Sequence, residues 1–520
     1  MKNIYKLKTK VKTILFFVVM PLFFLFMLYV YYQKAVAFSF IDEFNNFMAG
    51  YYILQGKSLY SQIFFQHQPL MAYMSAFIQL VLHPDTLYKL ILYHRIFIIF
   101  VSILFDILLI YRFSYIGVAF SIFFELSKFY LFGSLFLGES FIVYPIVYLF
   151  GLAWEKLQKK VLSLQDILIS GFFTFLVVCT REPFIPVTLC LYGYVLIGKL
   201  TKSKAYSICF FLFLTSLTLL TLPLRQYMFD IITVNYNSVA LSETAANGIR
   251  GIGIFQIFIY PFLLFFGGSW NILREIIVLC DVMLLGMLIY AFYIGKRLSV
   301  LFILFFLGLA AVRIVTPGTI YFSAYHILPW YGLFIMSLFL LLSLFYTKKY
   351  KRIFIVLGLY SFIICLFMLF STQSFIFEKN NRSNDFTTNY ERYFVFGSVI
   401  HALAKPTDTV FVDSWDSLIY WQAKQPVAYP YIFYYVPMNN YPIFTNARVV
   451  MFKNNPPDFY YFYCGETKYY SPGIPNIYKN EYKQLYNITG PSCLYVLTKK
   501  IPQISQNQWN SAKQLGFYLP

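Results

Sequence analysis

Residues 13–56 read TILFFVVMPLFFLFMLYVYYQKAVAFSFIDEFNNFMAGYYILQG, and this stretch decides the fold. Its first 20 residues, Thr13 to Tyr32, carry no charge, which is the length of one bilayer crossing as an α-helix. Five lysines precede it within Met1 to Lys12, so the positive-inside rule puts that end in the cytoplasm. Ala35-Val36-Ala37 has the small residues of a signal-peptide cleavage site. The apolar run is longer than a usual h-region, however, so an uncleaved first helix is expected. Asp42 and Glu43 then emerge on the external side. Two carboxylates at a membrane surface are costly and need a reason.

Working outward, the whole chain has the same character. Of its 520 residues 59% are hydrophobic and 12% charged, with 61 Phe and 47 Tyr. That composition belongs to membrane proteins, and aromatics at this density suit bilayer interfaces and interhelical packing. The net charge of +19 does not indicate nucleic acid, because the basic residues fall in short clusters between apolar runs, as cytoplasmic loops do. Cys179, Cys190, Cys209, Cys280 and Cys365 lie in apolar runs and are expected to pack as small hydrophobes. No C-x-x-C is present to suggest zinc or thioredoxin-like chemistry. Cys464 and Cys493 lie in a polar tail, where a disulfide and two free thiols are both open.

Hydropathy checked against Lys and Arg positions predicts about eleven transmembrane helices: 13–32, 88–111, 113–130, 139–154, 164–180, 183–198, 205–224, 272–294, 298–315, 324–346 and 353–375. Segment 252–267 is read as re-entrant or interfacial, since a full crossing there would move Lys296 and Arg297 outside. The domain organisation is then 1–377 in the membrane and 378–520 as a small extracytoplasmic α/β domain. In this tail DTVFVDSW, ARVVMF, PDFYYFYC and SCLYVLTKK read as strands. The expected location is the plasma (inner) membrane, multi-pass, with the N-terminus inside and the tail outside.

The first external loop, 33–69, is long for a helix bundle. Asn45, Asn46, Phe47, Tyr51, Tyr52 and Leu54 suggest an amphipathic helix lying along the membrane surface. Pro69 opens a second apolar helix, 70–82, too short to span. Asp42-Glu43, then Gly56 and Tyr60, then His67-Gln68-Pro69-Leu70 together resemble the first external loop of GT-C superfamily glycosyltransferases. The likeness is in the style of protein O-mannosyltransferases and lipid A aminoarabinose transferases. It extends to the layout of the helical region and of the tail. One departure is Gln68, where that group commonly has Lys before a pair of prolines. The resemblance implies transfer of a sugar from a polyprenyl-phosphate carrier to a lipid, glycan or protein acceptor on the external face, with inversion at the anomeric carbon.

Such a transfer needs a base for the acceptor's proton, and the resemblance assigns this to Asp42, assisted by Glu43. The competing reading of Asp42 is a helix N-cap. Glu139, in FLGESF, is a second external acid, or else a carboxylate favoured at a helix N-terminus. Arg181, in VCTREPF, stands where the group often has Lys meeting carrier phosphate. Arg forks onto phosphate well, although Glu182 beside it offers a structural partner. Arg313, His326 in YFSAYHILP, and His67 complete the substrate-binding candidates, against interfacial snorkelling for the arginine and core hydrogen bonding for the histidines. No nucleotide-cofactor motif is present. The acids leave room for a divalent metal that no ligand spacing demands. A transporter or flippase of lipid-linked sugars is the alternative function. It directs attention to the intramembrane acids Asp106, Asp166 and Asp281.

Overall fold

The computed structural model describes residues 14–236, 271–311, 324–346, 350–462 and 473–520. Seven of its helices are long and apolar enough to cross a membrane: Leu15–Gln33, Leu87–Phe113, Gly138–Leu157, Lys202–Leu220, Ile272–Tyr293, Tyr325–Leu344 and Lys351–Phe370. Four shorter apolar helices accompany them: Leu70–Leu82, Leu164–Val178, Glu182–Leu196 and Arg297–Ala310. The protein is therefore a helical membrane protein with a small C-terminal sheet. The segment expected as a span at 113–130 is helical but short, and Ser114 separates it from Leu87–Phe113. Ser114 takes a left-handed backbone with φ of 55°. A helix follows over Tyr115–Ser127 and a 3-10 turn over Lys128–Leu131. Segment 252–267 lies outside the described residues.

The chain divides into two compact units. The first comprises Met1–Ala35, Arg95–Thr218 and Thr244–Asn380. At its centre Gly138–Leu157 packs on Leu328–Leu344, and these are its most enclosed helices. Of the most apolar window, 83% is buried in the first and 89% in the helix Tyr325–Leu344, against 6% in Lys202–Leu220. Gly332 permits the central contact, since a Cβ there would meet Val143 Cγ2 at 2.4 Å. Small residues serve membrane helix pairs this way because close packing, not water exclusion, drives their association.

The ends of several helices in this unit gather in two sets. Arg112, in the last turn of Leu87–Phe113, pairs with Glu155 near the end of Gly138–Leu157 and with Asp166 at the start of Leu164–Val178. Asp166 also closes a capping box with Ser163, so its charge is used at a helix terminus. Lys156 donates to the Val195 carbonyl at 2.6 Å, closing the end of Ile185–Leu196. The opposite ends meet around Glu139 and Arg181, described below.

The second unit comprises Val36–His94, Leu219–Glu243 and Asn381–Pro520. Its sheet has the order β1-β2-β4-β3, with β1 Val410–Asp413, β2 Phe459–Phe462, β3 Tyr482–Asn487 and β4 Gly490–Leu497. Strands β1 and β2 are parallel, and the other pairings are antiparallel. Three of the expected strands are present. The fourth, ARVVMF, instead lies within the helix Pro442–Asn454. Phe444, Arg448, Met451 and Phe452 form its buried face, a helical spacing of four, seven and eight residues. Arg448 reaches Asp413 of β1 at 2.6 Å. Strand β3 was not anticipated.

The helix Ile41–Leu54 is enclosed by protein and has no free polar face of the kind an amphipathic surface helix presents. Every residue from Glu43 to Gly50 is buried, because the helix packs against Leu70–Leu82 on one side and Leu418–Ala423 on another. Of the apolar-run cysteines, Cys179 and Cys280 are buried, whereas Cys190 and Cys209 face outward. Cys493 is disulfide-bonded, and Cys464 lies outside the described residues.

Candidate functional site

Three of the residues singled out in the sequence converge in the first unit. Glu139 occupies the first turn of Gly138–Leu157. Arg181 precedes the 3-10 turn Glu182–Phe184, and His326 lies in the 3-10 turn Ala324–Ile327 that leads into Leu328–Leu344. Glu139 Oε1 accepts from Arg181 Nε at 2.7 Å and from His326 Nδ1 at 2.9 Å. The three side chains are almost wholly enclosed, at 1%, 5% and 8% exposure. Gly138 makes the approach possible, since a Cβ there would already touch Thr180 and the Arg181 methylenes at 3.3 and 3.5 Å. Pro183, Pro186 and Pro329 sit at helix starts, where a missing N–H costs nothing and a fixed φ helps.

Burial alone would pull the Arg181 guanidinium down. The Glu139 carboxylate, with Glu182 at 3.9 Å, outweighs burial and holds it above its ordinary value. The result is a permanent cation in a site largely stripped of water. There its attraction for a phosphate is stronger than in bulk solvent. The imidazole beside it is fixed in orientation by the same carboxylate.

Asp42, Glu43 and His67 belong to the second unit. The helix carrying both acids begins at Ile41, with Phe40 as its N-cap and no side-chain cap bond. Asp42 is thus two positions too late to be the cap. Both carboxylates stand in the first turn, where the helix dipole favours them. Glu43 is fully buried and Asp42 half-buried. One turn on, Asn45 accepts from the Tyr435 hydroxyl at 2.6 Å. Burial raises the Tyr435 phenol, and nearby Tyr420 and the Asp42 charge raise it further. Trp415 stacks on Tyr435 with ring centres 4.0 Å apart and planes within 6°. No local pattern announces this aromatic pair, because it comes to Asp42 from a distant part of the chain.

The loop bearing His67 is rigidly built. Tyr60 has a positive φ of 68°, a strained conformation for a bulky residue. Its hydroxyl donates to the His67 carbonyl at 2.8 Å. The Tyr227 hydroxyl donates to Gln68 at 2.8 Å, and Asn235 to the Gln66 carbonyl at 2.9 Å. Gln68 is therefore engaged in holding the loop. Arg313 lies outside the described residues.

A second buried polar cluster contains Asp106, one of the intramembrane acids named from the sequence, together with Glu125 and Lys128, which the sequence reading did not single out. Glu125 Oε1 contacts Lys128 Nζ and the Tyr144 hydroxyl, each at 2.6 Å. The Ser121 hydroxyl donates to Asp106 at 2.7 Å, and Tyr31 to the Glu125 carbonyl at 2.7 Å. Among the described residues Asp106 Oδ2 and Glu125 Oε2 have no hydrogen-bond partner, and neither does the Asp281 carboxyl. The signal was the spacing of Glu125 and Lys128 at i and i+3 inside an apolar stretch. Among the described residues no group of three or more His, Cys, Asp or Glu side chains is arranged to hold a metal ion. No protein-family model matches this sequence, and no curated protein matches it.

Proposed function

We propose that this chain is a membrane glycosyltransferase of the GT-C kind, moving a sugar from a polyprenyl-phosphate carrier to a lipid, glycan or protein acceptor on the extracytoplasmic face. The observation that carries the reading is the contact of Glu139, Arg181 and His326. Each was singled out for the transfer chemistry, Glu139 as an acid and Arg181 and His326 as substrate contacts, from a different part of the chain, and together they make an enclosed ion-pair site at one set of helix ends. An apolar cavity of ≈ 680 Å³ between Tyr115–Ser127, Leu328–Leu344 and Lys351–Phe370 supports a hydrocarbon-bearing substrate. In this reading the acceptor hydroxyl attacks C1 of the sugar as the C1–O bond to phosphate breaks. Asp42 takes the hydroxyl proton, and the leaving phosphate is stabilised by Arg181. Inversion follows from a single displacement.

The eleven-crossing topology is part of the proposal. Residues 36–94, 219–243 and 381–520 share one compact unit. Irregular backbone and open sheet edges are not stable in lipid, so these segments belong on the same side of the membrane. An even number of crossings must then separate 94 from 219. The long helices supply three, Leu87–Phe113, Gly138–Leu157 and Lys202–Leu220. Counting Tyr115–Ser127, Leu164–Val178 and Glu182–Leu196 as crossings makes the number even. The gathering of Arg112, Glu155, Asp166 and Lys156 at one set of ends, with Glu139 and Arg181 at the other, supports that count.

One observation favours the transporter reading: the Asp106, Glu125 and Lys128 cluster, since buried charge within apolar helices often marks an ion or substrate path. Reconstituted protein offered a panel of polyprenyl-phosphate sugars separates the two readings. A transferase yields a new glycosidic bond by mass spectrometry, and Asp42→Asn abolishes it. Movement of a labelled lipid across the bilayer with no such bond would favour transport instead.

A further inference from the structure

The helix that bears Asp42 leads, at its other end, to a cleft with no role in the chemistry above. The cleft lies within the second unit and has a volume of ≈ 430 Å³, within the range of small-ligand sites. Its walls come from the end of Ile41–Leu54, the following loop and the segment after Leu418–Ala423. Tyr51 and Tyr52 present aromatic surface, Gln62 and Gln425 present amides, and Lys57 and Lys424 present charge. Among the described residues no carboxylate lines it.

Two of these residues have unused hydrogen-bonding capacity. The Tyr52 hydroxyl and the Gln425 side-chain oxygen are buried and have no hydrogen-bond partner among the described residues. A buried polar atom left unpaired costs roughly 1–3 kcal/mol, so two in the walls of one cleft are an expense that a ligand would relieve. The backbone is committed as well. Lys424 takes a left-handed conformation with φ of 53°, which fixes the direction of that wall. The Ser58 N–H donates to Gln62 at 2.9 Å, ordering the opposite loop.

We propose that this cleft binds the acceptor as an acidic saccharide. The inference rests on the glycosyltransferase reading. Amides both donate and accept, as vicinal hydroxyls require. Tyrosine faces suit the apolar face of a pyranose ring, and two lysines without an opposing acid suit a carboxylate substituent on the sugar. A neutral saccharide leaves the lysines without a role, and a peptide makes no use of so many amides at once. From Asp42 to Gln55 the helix rises about 20 Å at about 1.5 Å per residue. The cleft therefore holds a part of the acceptor remote from the end that reacts.

The test uses the full-length protein in detergent, with trigalacturonic acid as probe and maltotriose as its neutral counterpart. Binding is read by saturation-transfer NMR and calorimetry. The acidic trisaccharide is expected to bind, and Lys57→Gln combined with Lys424→Gln to weaken it at least ten-fold. Gln425→Ala weakens both saccharides, and maltotriose binds more weakly than the acidic probe throughout. Failure of trigalacturonic acid to bind, or equal binding by the double lysine variant, overturns the proposal. Because the readout is binding, a protein that transfers sugar but ignores the trisaccharide sinks the cleft alone. One that binds it but never forms a glycosidic bond sinks the transferase reading alone.

Discussion

At the scale of single residues, the Glu139–Arg181–His326 contact is held by charge in a place with little water. Removing one member of a buried pair leaves the other uncompensated, which typically costs 3–5 kcal/mol. Arg181→Met is therefore expected to lower stability by about that amount. Combining it with Glu139→Gln should recover much of the loss, as read by thermal unfolding in detergent. Transfer stays lost in both variants, because the phosphate-binding cation is gone. Asp230 makes a pH-dependent prediction. Its carboxyl is buried and accepts from the Phe65 N–H at 3.3 Å. Burial pushes it up from the usual carboxylate range to about 8, against a smaller lowering by that hydrogen bond. An acid whose folded value is raised stabilises the fold fully only below its unfolded value. That contribution is lost as pH climbs from about 4 to about 8. Asp230→Asn keeps an acceptor oxygen and removes the ionisation. It should match the native protein near pH 4 and exceed it near pH 9 by up to roughly 5 kcal/mol. Equal stability at both pH values would contradict the assignment.

At the scale of elements, the apolar runs and the basic clusters that end them were legible, and so was the pairing of Ile41–Leu54 with Leu70–Leu82 as a two-helix feature. What the sequence concealed were the partners. Ile41–Leu54 reads as amphipathic, but its polar face, Asn45 and Asn46 included, is covered by its own unit. ARVVMF reads as a strand because Val449 and Val450 are β-branched. Pro442 starts a helix there instead, and Arg448 is buried by its tie to Asp413, a pairing no local pattern contains. Arg181 and Glu139 were each readable from their flanks, yet their contact depends on how three helix ends meet. The break at Ser114 was legible to within two residues, because Arg112 marks the turn between two apolar runs. The central helix pair offers a direct test. Gly332→Ala places a methyl against Val143, and such overpacking should cost about 1–3 kcal/mol. Val143→Ala in the same chain should return part of it, by thermal unfolding. An additive loss in the double variant would show that the contact is looser than described.

At the scale of the whole molecule, each segment has a side of the membrane to which it must belong. Single cysteines at Lys57, Gln226 and Asn510, all exposed in the second unit, should react with an impermeant maleimide from the same side of the membrane. A cysteine at Val161, 96% exposed between two helices of the first unit, should react only from the other. Labelling of the first three from different sides would dismantle the shared unit and the crossing count with it. The central claim is chemical, and one measurement reaches it most directly. Purified protein in liposomes is given a panel of polyprenyl-phosphate sugars with a membrane extract as acceptor, and the products are weighed by mass spectrometry. The account predicts a sugar joined to an acceptor, free polyprenyl phosphate in equal amount, and neither with Asp42→Asn. Unchanged product from a folded Asp42→Asn protein, or no product from any donor, would contradict it.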